Sequence, residues 1–245
     1  MVALAPDEVK EMPKHSKRYA ELTGKVDRLT YYALEDAVKL AKETATAKFD
    51  ETLEMHLKLG ADPSKGDQAV RGTIVLPHGT GKVPRVAVFA EGEVAQAATE
   101  AGADRVGGED LVQAIDEGWS DFDILVAHPT MMRVVGRLGK KLGPRMPSKK
   151  GGNVTEDVGA AVTELKAGKV EYRMDRGAVV HCPLGKVSFS EEQLIQNFLV
   201  LLKAIITARP SSVTGRYLRS LAVSTSMGPG IKVSTEDAQA KAVAA

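Results

Sequence analysis

The sequence predicts an α/β protein of two domains: a discontinuous α+β domain made from both chain ends, residues 1–78 and 167–245, and an inserted Rossmann-like α/β domain, residues 79–166. Three observations carry this. Leu53, Met55, Leu57 and Leu59 alternate with Thr52, Glu54, His56 and Lys58, the two-residue period of a strand with one buried face. From Arg85, short strand and helix patterns alternate, which implies a parallel sheet. From Lys169 extended patterns return and lead into one long amphipathic helix.

In chain order, residues 1–11 mix Ala, Pro and acids without a period and read as an extension, with Met12 as an alternative start; the basic stretch Pro13-Lys14-His15-Ser16-Lys17-Arg18-Tyr19 follows. Leu34, Ala37, Val38 and Ala41 recur at helical spacing behind Thr30 as a cap, for a helix ending near Ala47. After a turn over 60–66, residues 73–76 read as a second strand, closed by Pro77-His78-Gly79-Thr80-Gly81-Lys82. Inside, strands at 86–89, 105–106 and 124–127 alternate with helices from Glu93, over 109–117 and from Thr130; residues 151–166 read as turn plus helix. Residues 170–174, 179–182 and 186–189 look extended. Ser190 and Gln193 make a capping box ahead of Leu194, Phe198, Leu201, Leu202 and Ile205. Residues 218–226 read as a strand, and the Ala-rich residues 236–245 as a fraying end.

Composition narrows the function classes. Hydrophobic residues at 43% are enough for a packed core, while aromatics at 4% and abundant small residues suit helices lying close on a sheet. Lys plus Arg (33) balance Asp plus Glu (32), so affinity for a polyanion has to come from local clustering. The single cysteine, Cys182, excludes an internal disulfide and a CxxC metal site, and a reducing cytoplasm is the expected setting. No apolar run is long enough to cross a membrane, and the acids near the N-terminus do not fit a signal peptide.

Clustering is found in one place. Arg133, Arg137, Lys140, Lys141, Arg145, Lys149 and Lys150 bring seven cations and no acid into 18 residues, interleaved with glycines, and read as a flexible basic loop suited to phosphate backbones. Phosphate-loop chemistry at Gly79-Thr80-Gly81-Lys82 fails on spacing, because Leu76 stands where the first glycine belongs and Val83 where Ser or Thr is needed. No GxGxxG follows a predicted strand. His181 and Cys182 are strand neighbours that point to opposite faces and cannot form a nucleophile–base pair. The five histidines have no metal-ligand spacing. No catalytic residue, metal or cofactor is therefore expected. On composition alone Phe49 belongs in the core, and Ser224-Thr225-Ser226-Met227-Gly228-Pro229-Gly230 offers small hydroxyls, close backbone approach and an adaptable methionine, features able to meet RNA sugars.

From about Met12 to Val233 the chain resembles the large-subunit ribosomal proteins of the L-one family, bacterial type. The resemblance rests on Lys48-Phe49-Asp50-Glu51-Thr52 with Glu54, Val70-Arg71-Gly72-Thr73 with Leu76-Pro77-His78-Gly79, Leu142-Gly143-Pro144-Arg145, Glu171-Tyr172-Arg173 with Asp175 and His181, and Ser226-Met227-Gly228-Pro229. It implies contacts to large-subunit rRNA at the mobile side stalk through Lys48, Phe49, Thr52, Glu54, Arg173, Asp175, Ser226, Met227 and Gly228. It also implies a swinging inserted domain hinged at Gly79, Gly81 and Gly168, release of deacylated tRNA from the exit site, and repression of translation through the protein's own mRNA leader. The implied setting is cytoplasmic and ribosome-bound, within ribosome assembly, with no membrane and no obligate homo-oligomer. Three departures mark this chain. Ser226 replaces the family's usual Thr, Met146-Pro147 and Ser148-Lys149-Lys150 shorten and alter the loop after Arg145, and Gly177 sits one position earlier than the usual glycine. The rivals are an enzyme using a nucleotide in the Rossmann-like part, and a general nucleic-acid binder acting through the basic run alone.

Overall fold

The computed structural model describes residues 16–244, so the readings for residues 1–15 lie outside the described residues. Helices α1 (Lys17–Gly24) and α2 (Leu34–Thr44) precede strands β1 (Thr52–Leu59) and β2 (Arg71–Val75). The middle of the chain alternates β3 (Val86–Phe89), α3 (Glu93–Glu100), β4 (Arg105–Gly107), α4 (Glu109–Asp116) and β5 (Ile124–Ala127), then the one-turn helices α5 (Met132–Val135) and α6 (Gly139–Leu142), and α7 (Val158–Lys166). Strands β6 (Lys169–Arg173) and β7 (Val179–Lys186), helix α8 (Glu191–Thr207), strands β8 (Leu218–Thr225) and β9 (Ile231–Val233), and helix α9 (Thr235–Ala244) follow.

These elements form an antiparallel sheet β7-β1-β8-β9, a parallel sheet β4-β3-β5 and an antiparallel pair β2-β6. Strand β1 is central, and its Leu53, Met55, Leu57 and Leu59 are fully buried while the residues between them are not. Helices α2, α8 and α9 cover the buried side of the sheet. Helix α8 starts at the Ser190–Gln193 capping box, with Ser190 Oγ accepting the Gln193 N–H at 3.2 Å and Gln193 Oε1 accepting the Ser190 N–H at 3.0 Å. Its buried stripe contains Leu194, Phe198, Leu201, Leu202 and Ile205, and truncating Phe198 to Ala would cost about 3–5 kcal/mol.

The apolar side chains separate by chain segment. One cluster runs from Val26 to Leu76 and from Val170 to Ala242, while the other two draw only on residues between Val86 and Leu165. Those two lie on opposite faces of the parallel sheet, with Ala87 and Phe89 in one and Val86 and Val88 in the other, so β3 is buried on both faces as parallel strands require.

Several sequence expectations are corrected. Thr30 does not cap α2: its hydroxyl donates to Asp27 Oδ2 at 2.6 Å, and the N-cap residue is Ala33. Residues 187–189 form a turn after β7 and not a separate strand. The Ala-rich end is helix α9, whose Ala238 and Ala242, one turn apart, are buried. The basic run is not a flexible loop. It is a succession of short helical turns anchored by Val135, Leu138 and Leu142 in the cluster that holds Phe89 and Phe122.

The two crossings between chain segments touch. Gly79, Gly81 and Gly168 all have positive φ (65°, 75° and 100°), and a Cβ on Gly168 would come within 2.4 Å of Gly79 Cα. Asn197, fully buried among the apolar residues of α8, ties down the first crossing. Its Oδ1 accepts the His78 N–H at 3.1 Å, and its Nδ2 donates to Gly79 O at 3.0 Å and Leu184 O at 2.7 Å.

Candidate nucleic-acid interface

One carboxylate organises the start of β1. Glu51 is 2% exposed, and its Oε1 accepts the Ala47 N–H while its Oε2 accepts the Met227 N–H, both at 2.9 Å. Burial raises its pKa, but the backbone donors from Ala47 and Met227, with smaller help from Thr225 and Arg18, bring the carboxyl below the ordinary glutamate value. The guanidinium of Arg18 adds bonds to Thr46 Oγ1 at 3.1 Å and Met227 O at 3.2 Å. Two turns far apart in sequence, 45–50 and 226–228, are thereby held side by side. From them Phe49 stands 56% exposed and Met227 49% exposed, so Phe49 is not the core residue its composition suggested. Lys48 is exposed beside them.

Ser226 joins the second turn to β1. Its N–H donates to Thr52 O and its Oγ accepts the Thr52 N–H, both at 3.1 Å, a role that needs the hydroxyl and not the missing methyl. Lys186 Nζ donates to Thr52 Oγ1 at 3.0 Å. Gly228 is required by close approach, since a Cβ there would lie 2.4 Å from Thr225 Oγ1. A cleft of about 400 Å³ lined by Thr52, Lys82, Lys169 and Lys186 opens next to this end, with Glu171 as its acid.

From Thr52 the side of the sheet not covered by helices carries Glu54, His56 and Lys58 along β1, over about 23 Å for an eight-residue strand. The antiparallel register sets His56 opposite His181 and Glu54 opposite Ser224. His56 Nδ1 lies 2.8 Å from His181 Nδ1, and His56 Nε2 lies 2.8 Å from Ser224 Oγ. At the far end, His181 Nε2 is 3.8 Å from Asp175 Oδ2. Lys58 Nζ donates to Gly177 O in the same turn. Asp175 Oδ1 accepts the Val179 N–H at 2.7 Å, the largest of the contacts that hold its carboxyl below the usual value. Arg173 and Asp175 border a hollow of about 940 Å³ together with Arg71 and Arg176. The displaced glycine has a structural counterpart here. Ala178, at φ 57°, is the non-glycine residue with positive φ among the described residues.

Of the nine residues that the resemblance singled out, Lys48, Phe49, Thr52, Ser226, Met227 and Gly228 gather at one end of β1 and Glu54 follows along the strand. Asp175 faces His181 from the turn before β7, with Arg173, on the separate β2-β6 pair, beside it at the hollow. Sequence reasoning assigned no site role to Glu51, Asn197 or His56, and named His181 and Ser224 only as members of longer segments. Glu51 stood inside the motif Lys48-Phe49-Asp50-Glu51-Thr52, and that was its signal; the histidines come together only through strand register.

The basic run lies apart, on the segment between β5 and α7. Arg133, Arg137, Lys140 and Lys149 are exposed. Lys141 pairs with Asp116 at 2.6 Å, and the Arg145 guanidinium lies 5.7 Å from the centre of the Phe122 ring. The Lys150 side chain lies outside the described part. Cys182 is buried, and burial, with Glu54 nearby, pushes its thiol up to about 12, so it stays protonated and inert. Among the described residues no group of three His, Cys, Asp or Glu could hold a metal ion, and no helix is long and apolar enough to cross a membrane.

The sequence model of the Ribosomal protein L1p/L10e family matches residues 41–229, well over half of the 245. That span includes the Glu51 clamp, the open side of β1 and the turn at Met227. The chain therefore belongs to the ribosomal protein L1p/L10e family, a family of large-subunit ribosomal proteins that bind rRNA.

Proposed function

We propose that the two turns clamped by Glu51, together with the open side of β1, β7 and β8, dock onto the side-stalk region of large-subunit rRNA. One observation carries this reading: a single buried carboxylate fixes Phe49 and Met227 as exposed apolar groups beside the Thr52–Ser226 hydroxyls and Lys48. A rigid surface of that chemistry suits folded RNA, whose shape, sugars and unstacked bases are read by hydrogen bonds and stacking more than by charge. A balanced net charge of +1 fits docking of this kind.

In the same reading residues 79–166 are a second unit that swings against the first. Asn197 fixes Gly79, so the rotation falls at Thr80-Gly81 on one crossing and at Gly168 on the other. The motion accompanies release of deacylated tRNA from the exit site, with Arg133, Arg137 and Lys140 turned towards tRNA. The docking face also takes the protein's own mRNA leader and represses its translation. The protein acts ribosome-bound in the cytoplasm, in the manner of bacterial members. A salt titration tests the docking: binding to a side-stalk transcript should persist at a salt concentration that abolishes binding to unrelated duplex RNA. Equal loss of both contradicts the reading and favours a general polyanion binder.

A further inference from the structure

Ser224, His56, His181 and Asp175, from three strands and a turn, meet in one line on the open side of the sheet. Asp175 anchors the sense of that line. Its carboxylate, held ionised chiefly by the Val179 N–H, stands 3.8 Å from His181 Nε2, beyond hydrogen-bond reach but close enough for its charge to favour the tautomer with the proton on that nitrogen. In that tautomer His181 Nδ1 is an acceptor, and His56 Nδ1, 2.8 Å away, donates to it. The remaining His56 nitrogen, Nε2, is consequently an acceptor, and the Ser224 hydroxyl donates to it across 2.8 Å. The rings meet edge to face, with centroids 5.0 Å apart. The Ser224 hydrogen is committed inward, and what its half-buried oxygen offers outward is lone pairs.

An outward acceptor discriminates. Phosphate oxygens cannot donate to it, whereas a ribose 2′-hydroxyl can. We propose that Ser224 reads a 2′-hydroxyl of bound RNA, and that His56, His181 and Asp175 are positioning residues that hold its proton inward. This rests on the RNA-docking reading above and adds a specificity-determining residue to it.

Protonation reverses the line. With a second proton on His56, its Nε2 becomes a donor, the Ser224 hydrogen turns outward, and the oxygen no longer selects a sugar hydroxyl. Burial first, and His181 second, hold the His56 imidazole below its ordinary 6.5, so His56 is neutral at pH 7.5. Other charges around the pair are Glu54 and Lys58 on β1, Asp175 in the turn before β7, and Lys232 on β9 beyond Ala222. Glu54 raises the His56 value but by less than the two lowering causes.

The test uses the full chain and side-stalk RNAs carrying a 2′-deoxynucleotide at one position at a time, with affinities measured in steps downward from pH 7.5. At one position the deoxy substitution should weaken wild-type binding about three- to tenfold at pH 7.5, the value of one hydrogen bond, and by less once pH has fallen through the depressed His56 value. That penalty should vanish in Ser224→Ala and in His181→Leu. It should survive in His181→Gln, whose amide oxygen accepts from His56 and whose NH2 faces Asp175, and it should still fall when His56 is protonated. A penalty pattern unchanged by Ser224→Ala, with stalk preference intact, overturns this inference alone. Equal binding of stalk and unrelated duplex RNA overturns the docking reading as well.

Discussion

The buried Glu51 carboxylate accepts the Met227 N–H at 2.9 Å across 176 residues of sequence, and the same carboxylate holds the Ala47 N–H. Replacing it with Ala leaves two backbone donors without their partner. Glu51→Ala should lower unfolding stability by about 2–3 kcal/mol in a denaturant titration and should weaken stalk binding through loss of turn geometry.

The pH dependence of that contribution has a definite direction. The folded carboxyl is depressed below 4.5, so its stabilisation is complete above the ordinary value and is lost as pH falls through the lower, folded value. The stability gap between wild type and Glu51→Gln should therefore be constant from pH 6 to 8 and narrow below about pH 4. Denaturation midpoints across that range give the check, and a gap that widens in acid contradicts it.

Ala178 occupies a left-handed conformation, at φ 57°, that costs an L-residue about 1 kcal/mol or more. The strain is held in place by the Ala178 N–H donating to Asp175 O at 3.1 Å and the Val179 N–H to Asp175 Oδ1 at 2.7 Å. Ala178→Gly should stabilise the protein by up to about 1 kcal/mol, after the added freedom of the unfolded chain is subtracted. A loss in melting temperature would show that the buried methyl contributes more than the strain removes.

Asn197 has every side-chain bond directed at backbone, and it is fully buried. Asn197→Ala should cost about 2–3 kcal/mol and should raise amide exchange at His78 and Gly79 ahead of the rest of the β2 segment. Exchange protection that stays unchanged at His78 would separate the crossing from Asn197.

The exposed cations of the basic run make a different prediction. Replacing Arg133, Arg137 and Lys140 together by Gln should reduce the salt dependence of RNA binding by a slope of about 2 while leaving the preference for stalk RNA in place. Loss of preference would transfer the specific site to that run.

The legible parts of the fold were those where burial imposes a short-range period. Leu53 to Leu59 alternate because β1 has one buried side, and Ser190 with Gln193 announces α8 because capping is local chemistry. Helix α9 escaped because Ala238 and Ala242 carry little hydrophobic signal, although small residues are what allow close packing on α8 and β8. The helix expected from Thr130 is present as a series of short turns, but the basic run over it was read as a flexible loop because its glycines look like breaks, while Val135, Leu138 and Leu142 supply the anchoring. At the interface, the motif residues were visible as a string, but their gathering at one end of β1, the clamp by Glu51 and the meeting of His56 with His181 depend on strand register. A single sequence does not contain that register.

The most direct measurement of the docking face is competition between a side-stalk transcript and bulk duplex RNA, made with the wild type, Phe49→Ala and Ser226→Val. The account predicts stalk preference of about a thousandfold or more for the wild type and about a tenfold loss for each variant, with folding intact by circular dichroism. Stalk affinity unchanged in both variants, or equal affinity for all RNAs, would contradict it.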